Sequence, residues 1–186
     1  MFGFKNKNDE FSEWFRDNFI NLDMLDWRNS TQIAILEFLD KIKLHDSFIL
    51  KLNINCAWDN SVVFAVQWAW MQDPENEKKL KQAGNDIKDF KYATKKKIIG
   101  KTSFIVFTMP ILLVRFNNVK KIEMNEFEEL GGAQRDINNV SVVKINATDF
   151  ETKIVDNYEA KISLIHAEKV NVLCFGKKGN LIKLKL

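Results

Sequence analysis

Two histidines, two cysteines and scattered carboxylates are the residues through which this chain could do chemistry. His45 and His166 stand far from each other and from both cysteines, and no HExxH, paired CxxC or EF-hand spacing occurs. Both histidines are expected near helix C-termini, where partial positive charge is favourable. A thiolate nucleophile needs a base beside it. Cys56 falls on an apolar strand face, where a thiol is inert, and Cys174 lies in VLCFG with no base pattern nearby. Glu-x-Lys, which metal-dependent nucleases place on strands beside further carboxylates, occurs as Glu77-Lys-Lys79, Glu151-Thr-Lys153 and Glu159-Ala-Lys161, all in predicted helices. Gly176-Lys-Lys-Gly179 reads as a hairpin turn, not a phosphate cradle. The expectation is a non-enzymatic protein with no catalytic, metal-binding or cofactor-binding residues.

Charge gives the next indication. The chain has 28 Lys and Arg against 25 acids, a net +3, too small to imply a nucleic-acid partner. Only 4 of the 28 are Arg, the side chain best suited to bidentate reading of bases and phosphates. Locally the balance is uneven: Lys78 to Lys101 holds nine Lys and two acids. Within it, Lys88 to Lys97, with Lys95, Lys96 and Lys97 at its end, interleaves Lys with Phe90 and Tyr92 and could contact single-stranded nucleic acid. A solvated helix end is the simpler reading, and electrostatic steering toward an acidic protein is a third use, which makes Lys95, Lys96 and Lys97 candidate partner-binding residues. Glu123 to Glu159 holds nine acids and three basic residues, so Glu126, Glu128 and Glu129 mark a docking face for a basic partner.

The elements that must position these groups are clearest at Phe48 to Met71. Phe48, Leu50, Leu52, Ile54, Cys56 and Trp58 alternate with smaller or polar residues, and Val62, Phe64, Val66, Trp68 and Trp70 resume the alternation after Asp59-Asn60-Ser61. A three-residue turn opposes Trp58 to Val62 and Leu50 to Trp70, gathering the large side chains on one face, each contributing roughly 1.5–3 kcal/mol when buried. The reverse face carries Lys51, Asn53, Asn55 and Gln67, a flat hydrogen-bonding patch suited to a covering helix or a partner protein.

Around this hairpin the periodicities predict a helix from Asn8 through Leu22, a second from Asn29 to Leu44, and a third starting at Asp73-Pro74 and carrying Leu80, Ala83, Ile87 and Phe90. Strands are expected at SFIVFT and ILLVRF, split at Pro110, with a short helix NEFEEL after Asn125 and a loop from Gly132 to Asn139. A strand covers Val140 to Ile145. Thr148-Asp-Phe-Glu151 resembles a capping box, and Phe150, Ile154, Tyr158, Ile162 and Ile165 space a long helix after it. VNVLCF and LIKLKL close the chain as a hairpin. The fold class is α+β: a predominantly antiparallel sheet built from hairpins, packed against two N-terminal helices and the long Thr148 helix, in one domain over 1–186.

Two cysteines in apolar strands suit a reducing compartment, the N-terminus lacks a signal-peptide core, and the apolar run Ile98 to Phe116 is interrupted by Lys101 and Pro110. A cytoplasmic protein without a membrane span is expected. The preferred function is protein binding, most plausibly a bacterial neutralising protein of the toxin-immunity type whose partner is a cognate toxin. The alternatives are a small-ligand or lipid-binding domain (or unfamiliar enzyme) with an aromatic-lined pocket, and a single-strand nucleic-acid binder through Lys88 to Lys101.

Overall fold

The computed structural model describes residues 25–55, 59–69, 74–90, 95–99, 102–106, 110–125, 135–176 and 180–186. The helix expected from Asn8 to Leu22 and the NEFEEL segment past Asn125, which ends a strand, lie outside them, as do Cys56, Trp14, Trp58 and Trp70. Antiparallel strands dominate. In chain order they are β1 (Thr31–Ala34), β2 (Phe48–Asn55), β3 (Ser61–Gln67), β4 (Lys95–Ile99), β5 (Thr102–Val106), β6 (Ile111–Phe116), β7 (Lys121–Asn125), β8 (Arg135–Lys144), β9 (Asp149–Asp156), β10 (Lys161–Ala167), β11 (Lys169–Phe175) and β12 (Leu181–Ile182). The helices are short: α1 (Ile35–Lys41), α2 (Pro74–Gln82) and α3 (Ile87–Phe90).

The hairpin forms with the faces expected, but in a different register. Ile54, not Trp58, opposes Val62, and Leu52 opposes Phe64. The slip is four residues, an even number, so large still meets large. A bulge between Ile49 and Lys51 then moves Ile49 opposite Val66 into the main core and sends Leu50 to the reverse side.

The long helix expected after Thr148 is instead the β9–β10 hairpin, pairing Ile154 with Ile162 and Thr152 with Leu164. Spacings of four satisfy a 3.6-residue period and equally twice a period of two. The β-branched Thr152, Ile154, Val155, Ile162 and Ile165 favour the strand. Its turn is held by the Asp156 carboxylate, which accepts the Tyr158 and Ala160 N–H groups at 2.9 Å each, with Glu159 left-handed at φ 65°. Asp156→Ala should therefore cost about 2 kcal/mol, read as a lowered urea midpoint, because the Ala160 N–H stays buried without its acceptor.

Four further expectations change. Thr31–Ala34 is a strand on β11 and not part of the second helix, which shrinks to α1. The third helix breaks after Gln82, where Gly84 takes φ +79° as a C-terminal stop. Thr102–Val106, which holds the first four residues of SFIVFT, pairs with Lys95–Ile99 in a separate two-stranded sheet, leaving ILLVRF between β3 and β11. Part of the loop expected before Asn139 is β8.

The main sheet runs β1-β11-β6-β3-β2-β8-β9-β10-β7, with β12 on β11. Only Glu168 separates β10 from β11, and β6 leads into β7 through Asn117–Lys120. Val170 opposes Phe116 and Ile165 opposes Lys121, so both strand pairs continue one antiparallel register across the corner. With each counted as one bent strand, the pairings return to their start: β10/β11, β6/β7, β3, β2, β8, β9. Inward residues of both halves, among them Phe64, Val114, Phe116, Phe150, Ile162, Leu164 and Val172, meet in one core. The segments around the helices add Phe38, Ile42, Trp68, Leu80, Phe90 and Leu184 to that core.

Candidate binding surface

The reverse hairpin face is not the flat polar patch that its sequence suggests. Lys51 and Asn53 are half-buried there, beside Val63, Ala65, Ile111, Leu113, Leu173 and Phe175, which form a second apolar cluster. Leu25, Trp27 and Leu50 pack onto it. Asn55 and Gln67 end β2 and β3, opposite Ser61 and Phe48. At the margin, Arg115 is paired with Asp59 and lies 5.3 Å from the centre of the Trp27 ring. A polar chain continues outward: Asn117 donates to Asn171 at 2.8 Å, and Asn171 donates to Ser30 at 2.9 Å. Trp27 Nε1, Asn53 Nδ2 and Ser61 Oγ are buried there without a hydrogen-bond partner. Each such group costs about 1–3 kcal/mol, so packing dominates at this seam over polar satisfaction.

Ser61 points outward with Val63, whereas His166 points inward against Phe116 at 4.7 Å between ring centres, so the sheet separates hydroxyl from imidazole. Neither histidine is at a helix end. His45 lies exposed in a turn, 3.0 Å from Asp46, and His166 is a buried residue of β10. Cys174 is buried in β11. Of the Glu-x-Lys tripeptides, only Glu77-Lys-Lys79 is helical; Glu151 and Lys153 sit on β9, and Glu159 precedes Lys161 of β10. Among the described residues, no group of three His, Cys, Asp or Glu could hold a metal.

The basic stretch is divided between elements. Lys79 and Lys81 make ion pairs with Glu75 and Glu77 on α2, and Lys79 also lies 3.8 Å from Asp40. Lys95, Lys96 and Lys97 lie in β4, a strand and not a helix end. Glu126, Glu128 and Glu129 lie outside the described residues. The acidic stretch is likewise compensated in space. Lys120 reaches Asp149 at 2.7 Å and Lys153 reaches Glu151 at 3.1 Å. Lys120 holds the Asp149 carboxyl below its ordinary range, and the Ser163 hydroxyl, followed by Lys153, does the same for Glu151.

The open surface is the outer face of β8, β9, β10 and β7, which the sequence hides because the apolar spacing of β9 and β10 fits a helix equally well. Its registers align Val143, Glu151, Ile165 and Lys121 in one row, Ser141, Lys153, Ser163 and Glu123 in the next, and Asn139, Val155, Lys161 and Asn125 in a third. None is buried. Glu123, Glu151, Lys153, Lys161 and Ser163 line a shallow groove across it, and Ser163 donates to Glu151 at 2.7 Å. Ile145 and Tyr158, 48% and 60% exposed, border the face at its two turns. Alternation of Thr152, Ile154 and Asp156 inward against Glu151, Lys153 and Val155 outward is the signal that could have revealed it.

The chain matches no family model, no curated protein and no solved structure. Among the described residues, no helix is long and apolar enough to cross a membrane.

Proposed function

We propose that the chain is a non-enzymatic protein-binding domain, of the toxin-neutralising kind. The observation that carries this reading is the open four-strand face. Its charges are already ordered by mutual pairing, its backbone is fixed by the sheet, and exposed Val143, Ile145 and Tyr158 supply apolar and aromatic contact. Preordered charges and a rigid backbone reduce the entropy lost on association. Strands about 4.8 Å apart and rows about 6.8 Å apart give roughly 400 Å². That is about half of the ~800 Å² which a standard complex takes from each partner, so the turns carrying Ile145 and Tyr158 belong to the contact.

The test is binding to the product of the neighbouring gene by calorimetry. Tyr158→Ala and Val143→Asp, both at exposed positions, should each weaken that complex about tenfold or more while leaving the thermal transition in place. Unchanged affinity in both variants would remove this face from the function, and a wild-type protein that binds no such partner would remove the reading itself.

A further inference from the structure

β7 leaves one edge of the sheet open. It pairs with β10 on one side, and among the described residues nothing pairs with the other. Backbone directions identify what that edge presents. The Ile165 carbonyl accepts the Lys120 N–H at 2.7 Å, and on the far side of β10 the Ala160 carbonyl accepts the Asp156 N–H at 3.1 Å. Polar groups alternate sides along a strand, so odd-numbered residues of β10 face β7, and their partners Lys121, Glu123 and Asn125 face back. Ile122 and Met124 therefore aim their N–H and C=O groups outward. The edge stops at Val119, whose N–H is taken by the Asn60 carbonyl at 2.6 Å. A groove of about 600 Å³, lined by Asn60 and Asn118 to Ile122, lies alongside.

We propose that two copies of this chain pair antiparallel through β7, with Ile122 opposite Ile122 on the two-fold axis. That register places the outward groups of Ile122 against one another and brings the Met124 N–H to the Lys120 carbonyl of the second copy, since the Lys120 N–H is already given to Ile165. It also places Lys121 opposite Glu123 of the second copy, twice, at non-hydrogen-bonded positions where facing side chains come closest. Lys121 already pairs with Glu123 along its own strand, so the partners only exchange. Sliding by one pairing step would set Glu123 against Glu123, and like charges at facing positions are destabilising. Charge thus selects both the occupant and the register. Lys121 and Glu123 also belong to the open face, but the inference rests on the backbone edge of β7, which Met124→Pro tests without touching that face.

Sedimentation over a concentration series tests it. The wild type should dimerise reversibly. Lys121→Glu should weaken self-association about tenfold or more, and the double variant Lys121→Glu with Glu123→Lys should restore it. Met124→Pro removes an N–H that points away from β10, so it should abolish the dimer with the circular dichroism spectrum unchanged. A monomer at every concentration, a dimer indifferent to Met124→Pro, or a charge swap that fails to restore association would each overturn the proposal.

Discussion

Trp68→Ala is expected to lower the unfolding free energy by about 3–5 kcal/mol, the largest effect of any single truncation considered for this chain. Trp68 is fully buried and stands edge-on to Phe90, with ring centres 6.2 Å apart. Its Nε1 donates to the Lys43 carbonyl at 2.9 Å, and its own N–H donates to the Pro110 carbonyl at 2.8 Å. One side chain thus ties the end of β3 to the segment after α1 and to α3. Trp68→Phe keeps most of the volume and loses the indole donor. The Lys43 carbonyl retains Asn76 Nδ2 at 3.3 Å, so that variant should cost only about 1–2 kcal/mol. Urea unfolding of both variants checks the contrast, and equal losses would show that packing around Trp68 counts for little.

Mild acid should destabilise the protein through His166. Its Nδ1 lies 2.6 Å from the Ala167 carbonyl, which can only accept, so Nδ1 carries the proton and Nε2 accepts from the Thr152 hydroxyl at 2.7 Å. The ring is buried against Phe116, and that burial holds its pKa below the ordinary 6.5. Because the folded value is the lower one, the unfolded chain binds the proton first. Stability is complete above about pH 6.5 and is lost as the pH falls from there toward the folded value. The paired carboxyls of Asp149 and Glu151 release their contribution only at more acidic pH, below their unfolded values. Asp136, raised by burial, acts in the opposite sense and adds stability as it protonates. The urea midpoint should therefore drop between about pH 7.5 and about pH 5, and His166→Gln should flatten that slope. A slope unchanged by the substitution would assign it to other groups.

How much of this was readable in the residues differs from element to element. Hairpin faces survive a slip in register because a slip by an even number preserves them, so the β2–β3 core face was recoverable although its pairing was not. Pro110 marked the entry to β6, a central strand, and Pro74 begins α2. The β9–β10 hairpin was hidden by spacings of four, which both periods fit, and by a Thr148 that reads as a cap but donates to Asn146 in a turn. The open face was invisible for the same reason, since its rows exist only once four strands are in register. Charge blocks in sequence misled in a different way. Lys120 lies outside the acidic stretch yet neutralises Asp149 within it. The outer hairpin patch looked polar because the neighbours that make it apolar, Leu113 and Leu173, arrive from strands far along the chain.

The bent ribbon of β6/β7 against β10/β11 also sets an order of events as the polypeptide is made. When β6 leaves the ribosome, β3 is ready on one side, but its other neighbour, β11, is about fifty residues from emerging. Until then an almost wholly apolar strand offers a bare edge, and β1 has nowhere to dock. The later strands must close the circuit in a single late step. A nascent chain that has not yet exposed Lys169 to Phe175 is accordingly a natural client for a holdase, and pairing of β11 with β6 ends that state.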